Sequence, residues 1–330
     1  MKFVRLTLLL LVLAAIAAAG AAAWWLKHPL ELAAPTVELS IEPGTPPREI
    51  AQQWVQAGVK TPPWLLYEWF RWSGQARKIR AGSYEIPAGT TPVGLLEKMV
   101  RGDETLATVR LIEGWTFKQF RAELAKADAL KPTTAGMTDA QVMEAVGASG
   151  VAPEGRFHPD TYAYSKGSAD LAVLKRAYRA MSRRLESAWA ERAPNTPLRS
   201  ADEALTLASI VEKETGTSSD RAKVAAVFAN RLRVGMPLQT DPTVIYGLGD
   251  AFDGNLRKRD LQTDTAYNTY TRSGLPPTPI AMPGKASLLA AVHPDSSKAL
   301  YFVSRGDGSS EFSETLADHN RAVNKYQRGR

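Results

Sequence analysis

At 330 residues the chain is too long for one small module and fits two or three units of ordinary domain size. Apolar residues at 44% and charged residues at 23% sit near the average for soluble domains, which excludes wholesale disorder and a bundle of membrane spans. The net charge of +7 is spread along the chain and suits an anionic surface or polymer without singling out nucleic acid, while the lack of cysteine removes disulfides, thiol nucleophiles and CxxC metal sites.

From Leu6 to Leu26 no residue is charged; Lys2 and Arg5 precede the run, and Trp24, Trp25 and Lys27 close it. A span needs about 20 apolar residues, so this stretch is long enough to cross a bilayer. Basic residues ahead and tryptophans at the far edge predict an N-terminus inside and everything after Lys27 outside. The rival is a cleaved signal peptide, with Leu8 to Leu13 as its apolar stretch and Ala17-Ala18-Ala19 or Ala21-Ala22-Ala23 as the cleavage site. Either way the bulk of the chain is exported; the length of the run favours the anchor.

Residues 27–36, with Pro29 and Pro35, read as a tether to a strand at Val37 to Ile41, after which Pro43-Gly44 turns the chain. Pro46 and Pro47 open a helix that stops near Gly58, and Pro62 and Pro63 open another holding Leu65, Leu66, Trp69 and Phe70. A strand at Ser83 to Ile86 and a helix from Thr91 to Arg101 follow. This strand, helix, helix, strand order over 37–104 resembles a LysM-like module, a small fold that holds N-acetylated sugars; the alternative is a scaffold domain whose tryptophans are core.

A second unit starts near Thr105 with a strand at Ala107 to Ile112. Thr116 with Gln119 forms a capping box, and Trp115 with Phe120 a hydrophobic staple, so a helix starts there. A short helix at Asp139 to Val146 precedes Pro153-Glu154-Gly155-Arg156-Phe157-His158, a turn-rich polar segment of the kind that lines a site. Residues 169–192 form a basic amphipathic helix whose arginines read as a solvated face.

Ser200 and Glu203 form a further capping box, and the helix it opens runs through Leu205, Leu207, Ile210 and Val211 to about Thr215, with Gly216 as terminator. Glu212 and Glu214 fall in its last turn, where the macrodipole disfavours a negative charge; a chain tuned only for stability places Lys or Arg there. At about 100° per residue the two project roughly 200° apart, so they flank the apolar stripe on opposite sides and cannot form a dyad with each other. Either could be a lone acid, or both a solvated helix end beside Lys213. A second helix spans Asp220 to Arg233. Asp241 then caps a one-turn helix with Pro242 at its first position and Gly247 after its end, leaving Gln239 and Thr240 at its lip. Tyr267-Asn268-Thr269-Tyr270 leads into a loop stiffened by Pro276, Pro277, Pro279 and Pro283. The four histidines, His28, His158, His293 and His319, are scattered, and HExxH, G-x-S-x-G and Walker A strings are absent, so no metal or cofactor is expected.

The strings Leu207 to Thr215, Leu238 to Tyr246, Tyr267 to Tyr270 and Gly274 to Pro277 resemble the endolytic murein transglycosylases of the YceG-like (MltG) family. His293-Pro294 and His319 to Tyr326 resemble its late signatures. The resemblance implies that Glu212, first glutamate of the Glu-Lys-Glu string, is the catalytic acid. It implies a lyase that cuts the MurNAc-GlcNAc bond of nascent peptidoglycan strands, forms a 1,6-anhydro end and terminates elongation, with peptidoglycan synthases as partners. Glu154, Gln239, Asn268 and Tyr270 are the candidate substrate-binding residues, since Tyr rings pack on sugar faces and amides pair with hydroxyl and acetamido groups. The alternatives are a muramidase on the same glycan, which is a glycoside hydrolase, and a non-catalytic wall-binding divisome scaffold. The fold expected is α+β: a cytoplasmic N-terminus (1–5), one transmembrane helix (6–26) in the inner membrane, a tether (27–36), a LysM-like module (37–104) and a mixed α/β catalytic domain (105–330) in the periplasm.

Overall fold

The computed structural model describes residues 2–215 and 217–329. Helix α1 (Lys2–Lys27) runs unbroken through the apolar N-terminal stretch. Within its portion Arg5–Lys27 an 18-residue stretch has a mean hydropathy of 2.5 and no buried residue, so by length and composition it can cross a membrane. The rest divides into two compact units. One comprises the chain up to Thr108 with Asp128–Lys131 and Ala163–Ser168; the other comprises Val109–Ala127, Pro132–Tyr162 and the chain from Ala169 onward.

In the first unit β1 (Thr36–Ile41) pairs antiparallel with β2 (Gly82–Pro87), Val37 opposite Ile86 and Leu39 opposite Tyr84. Between them in sequence lie α2 (Pro47–Ala57) and α3 (Pro63–Trp72), each with proline in its first turn, where the missing N–H costs nothing. Helix α4 (Pro92–Arg101) follows β2; the Thr91 hydroxyl accepts from the Gly94 N–H, and Gly102 ends the helix in the left-handed region at φ +71°. Trp54, Phe70, Tyr84, Leu66 and Met99 fill the core. The tryptophans divide: Trp54 is buried, whereas Trp64 and Trp72 on α3 are 65% and 76% exposed. The segment expected as a tether is packed onto this unit. Leu30 and the partly buried Trp25 and Leu32 join the core cluster, the Leu30 N–H donates to the Thr90 carbonyl, and the Ala33 N–H to that of Gly58. The two short returns also belong here. The Ser40 and Ser83 hydroxyls donate to the Lys166 carbonyl, and Lys166 and Lys131 pair with Glu38 and Glu42.

Strand β3 (Leu106–Arg110) leads to α5 (Phe117–Lys126), which opens with both halves of the predicted capping box and with Trp115 set edge-on to Phe120 at 6.3 Å. Helix α6 (Asp139–Val146) carries the same box in Thr138 and Gln141. β4 (Thr161–Ser165), which pairs with β3, then precedes α7 (Asp170–Ala190). In the second unit α8 (Ala201–Glu214) is the central helix, packed against α7, α9 (Arg221–Arg233), α10 (Asp241–Leu248) and α12 (Lys285–Val292); α11 (Lys258–Gln262) lies between the last two in sequence. Ala204, Ala208, Ala225 and Ala291 are fully buried beside Leu205, Ile210, Phe228 and Leu288, and such small side chains let helices approach closely. β5 (Tyr301–Ser304) and β6 (Ser310–Ser313) form a hairpin ahead of α13 (Leu316–Val323).

Two details depart from the sequence reading. Thr240, not Asp241, is the N-cap of α10, so Pro242 falls one position later and the helix runs through Gly247 to Leu248. The sequence reading assigns neither helix α12 nor the final hairpin, although Gly284 caps the one and Gly306-Asp307-Gly308 turns the other. Gly216, expected to stop α8, lies outside the described residues.

Candidate active site

The position of α8 follows from its ends and its buried stripe. The Ser200 hydroxyl accepts from the Glu203 N–H at 3.1 Å, but the Glu203 carboxylate takes the Arg199 N–H instead, so only half of the expected box forms. Residues Ala204 to Val211 are buried, Ser209 included; its hydroxyl donates to the Thr206 carbonyl and accepts the Ile280 N–H at 3.0 Å. This bond fixes the proline-rich loop 274–284 against α8. The last turn of the helix is therefore held while its two glutamates point to different neighbours.

Glu212 is 8% exposed at its side chain. The Gly284 N–H donates to its Oε2 at 2.9 Å, and Arg221 Nη2, at the start of α9, lies 4.0 Å from Oε1. Arg221 Nε is buried with no hydrogen-bond partner. A third segment closes over this end of the helix. The Gly114 N–H donates to the Met282 carbonyl at 2.9 Å, the Met282 N–H to the Trp115 carbonyl at 2.8 Å, and Lys213 Nζ to the Gly114 carbonyl at 3.3 Å. These bonds bring Glu113 against Gly284, where burial and then the Glu212 charge push its carboxyl above the ordinary range, with Arg221 opposing.

Glu214 faces the other way. Its carboxyl accepts the Thr240 hydroxyl and is raised by burial, with that bond pulling down and the Asp241 charge pushing up. The Thr240 N–H donates to the Thr269 hydroxyl at 3.1 Å, and the Gln239 N–H to the Thr269 carbonyl at 3.0 Å, zipping 239–240 to 269. Gln239 is exposed and adopts φ +48°, a left-handed conformation rare for a side-chain-bearing residue and common where a site demands a set direction. The Tyr270 hydroxyl donates to Asp241 Oδ1 at 2.6 Å, and burial followed by that bond raises Tyr270.

The structure thus gathers Gln239 and Tyr270 near one another beside the Glu214 side of α8, and sets the other two candidates beneath the surface. Asn268 is 0% exposed; its amide donates to the carbonyls of Asp260, Leu261 and Thr263, and its Oδ1 accepts the Tyr270 N–H. Glu154 is 6% exposed and accepts the Phe117 N–H at 3.0 Å and the Tyr246 hydroxyl at 3.1 Å; burial pushes it up to about 7. Both residues have their polar atoms engaged inside the protein, so they shape loops and do not face outward. Sequence reasoning missed Glu113, Arg221 and Gly284, whose residue types in isolation carry no signal; they are separated from Glu212 by chain that only the fold brings together.

A family model described as the YceG-like family matches residues 39–325. The endolytic murein transglycosylase of Bacillus subtilis (strain 168) is 41% identical over 174 residues, 52% of this chain and 48% of that protein. That of Streptococcus pneumoniae serotype 2 (strain D39) is 25% identical over 324 residues, 88% of this chain and 58% of its own length. The chain spans about half the length of the curated relatives it matches. The crystal structure of a yceG-like protein from Listeria monocytogenes superposes with a TM-score of 0.53 at 27% identity, covering 87% of this chain and 98% of that one.

Proposed function

This chain belongs to the YceG-like family, and from that membership together with the surroundings of Glu212 we propose that it is an endolytic peptidoglycan lytic transglycosylase. The reading is supported by the relatives named endolytic murein transglycosylase and is carried by one observation. A nearly buried carboxyl, Glu212, lies in the last turn of α8, inside the string that resembles the family's catalytic segment, held by a backbone N–H and faced by a guanidinium.

Cleavage between N-acetylmuramic acid and N-acetylglucosamine requires a proton on the leaving oxygen and tolerance of an oxocarbenium-like centre. Glu212 donates that proton as general acid. As a carboxylate it then accepts the proton of the muramic acid 6-hydroxyl, whose oxygen attacks C1 and closes the 1,6-anhydro ring. The nucleophile is tethered to the reacting sugar, so proximity replaces a bound water. Gln239 and Tyr270, on the Glu214 side of α8, are the candidate glycan contacts, while Asn268 and Glu154 keep the loops in shape.

Helix α1 anchors the protein in the inner membrane with the remainder in the periplasm, and the β1–α2–α3–β2 order supports a LysM-like role for the first unit. A tether to the bilayer raises the effective concentration at nascent strands without added affinity, which suits termination of elongation beside the synthases. The test is digestion of purified sacculi followed by mass spectrometry. Products with 1,6-anhydro ends that disappear in Glu212→Gln, with thermal midpoint retained, are the expected result. Reducing ends heavier by one water would identify a muramidase, and intact glycan with the unmodified protein would leave a binding scaffold.

A further inference from the structure

The sequence reading gives the arginines of α7 a solvated face, but two of them line a cavity instead. Arg183 and the half-buried Arg184 bound a space of about 420 Å³ together with Lys285 and Leu289 of α12, a volume in the range of small-ligand sites. Ala188 and Leu288, both buried members of the core, supply an apolar wall. Among the described residues no carboxylate lies within 4.0 Å of the three cations, and no side-chain hydrogen bond engages them. The one acid on the wall, Glu191, is exposed and pairs with none of them. Their charge acts inward as well. After burial, Arg184 is the largest influence holding His158 at about 4, and Arg184 and Arg183 oppose the rise that burial and Asp160 impose on Tyr162. Three like charges gathered on one cavity repel each other, so stability alone does not account for them. The cavity also adjoins the site: Lys285 directly follows Gly284, whose N–H holds Glu212.

We propose that this cavity is a carboxylate-binding subsite that takes the peptide stem of a muramic acid residue near the scissile bond. In a peptidoglycan strand the sugars are neutral once the lactyl group is amide-linked. Charge resides on the stems, which combine free carboxylates with alanine methyl groups. Two guanidiniums and an ammonium match the carboxylates, the guanidiniums in a two-pronged geometry, while Ala188, Leu288 and Leu289 match the methyls. The subsite makes and breaks no bond. It favours strands that still carry their stems over strands from which the stems have been removed. This inference rests on the reading of the chain as acting on peptidoglycan.

The experiment measures binding by the full-length protein in detergent, carrying Glu212→Gln so that strands stay intact. The probes are soluble glycan strands with stems and the same strands stripped by an amidase. Stem-bearing strands are expected to bind about tenfold tighter, and the triple change Arg183→Gln, Arg184→Gln, Lys285→Gln to shrink that advantage to about twofold or less. Arg183→Lys with Arg184→Lys keeps the charge and should keep most of the preference. The exposed Lys285→Gln alone, expected to cost about threefold on stem-bearing strands only, serves if the triple variant does not fold.

Equal affinity for the two probes, or a loss in the triple variant that is the same on both, overturns the proposal. Inorganic polyphosphate is the third probe: a triple variant that loses polyphosphate while keeping its preference for stems assigns the cavity to phosphate and overturns it too. Cleavage assays with Glu212 intact separate the failures. The triple change is expected to raise KM on stem-bearing strands about tenfold with kcat little changed. Cleavage of both probes with KM unmoved by the triple change sinks this inference alone. No cleavage of either probe sinks the proposed activity and leaves the binding comparison to decide the subsite.

Discussion

The two sides of the last turn of α8 carry the same chemical group in opposite settings. Toward α12, Glu212 meets a backbone N–H, a guanidinium with a spare buried donor and a second carboxyl open to solvent. Toward α10, Glu214 meets the Thr240 hydroxyl and, through it, a stitched network of Thr269, Thr243, Asn268 and Tyr270. Glu214 is consumed by holding loops together; Glu212 is left with groups that respond to charge. Residue type and helix position are shared, so the division of labour comes from what the rest of the chain brings to each face.

The sharpest way to break the contrast is to neutralise each side in turn. Glu212→Gln is expected to reduce cleavage about 10³-fold or more, read as anhydro-ended product, whereas Glu214→Gln should keep cleavage within about tenfold of the parent. Equal losses would erase the distinction. Next in size, Asn268→Ala removes an amide that satisfies three backbone carbonyls in a fully buried position and should cost about 3 kcal/mol in denaturant unfolding. A change under about 0.5 kcal/mol would show that the Glu214 side is not the structural one.

Glu154 extends the comparison to a third buried carboxyl. Its folded value of about 7 lies above the ordinary 4.5, so the folded state binds the proton more tightly. The stability this group contributes is complete below the ordinary value and is lost as pH rises through about 7, to the extent of about 3 kcal/mol. Against Glu154→Gln, which cannot ionise, the parent should lose ground progressively from about pH 5 to 8; parallel stability curves would contradict this. His158, held down to about 4 mainly by burial, works in the opposite direction but is common to both proteins and cancels in the difference. The smallest effect is expected for Thr240→Val, which strips Glu214 of its hydroxyl partner and should cost about 1–2 kcal/mol with cleavage largely retained.

What was legible in the sequence was local. Prolines at the starts of α2 and α3, the Thr116–Gln119 box and the glycine closing α4 announce their elements because the cause lies within a few residues. The wheel argument placed Glu212 and Glu214 on opposite sides of α8 for the same reason. The choice of Glu212 came only from the family resemblance, and its neighbours escaped notice because Glu113 and Gly284 reach it through tertiary packing that no periodicity encodes. Asn268 and Glu154 had been assigned outward roles on residue type, which is blind to burial: an amide suited to a sugar is equally suited to three carbonyls of its own chain. The tether was read from Pro29 and Pro35, but Leu30 and Leu32 outweigh them by finding apolar partners.

That packing of Trp25, Leu30 and Leu32 has a mechanical consequence. The first unit packs directly onto the end of α1, so each residue added within the helix would shift its standoff by about 1.5 Å and its bearing by about 100°. The flank of α1 is apolar all round, so lengthening it by one residue would swivel the attached unit about the helix axis at little energetic penalty in lipid. Were α1 to lie in a bilayer, its bearing would rest on the rim residues Trp24 and Lys27 and not on the aliphatic run.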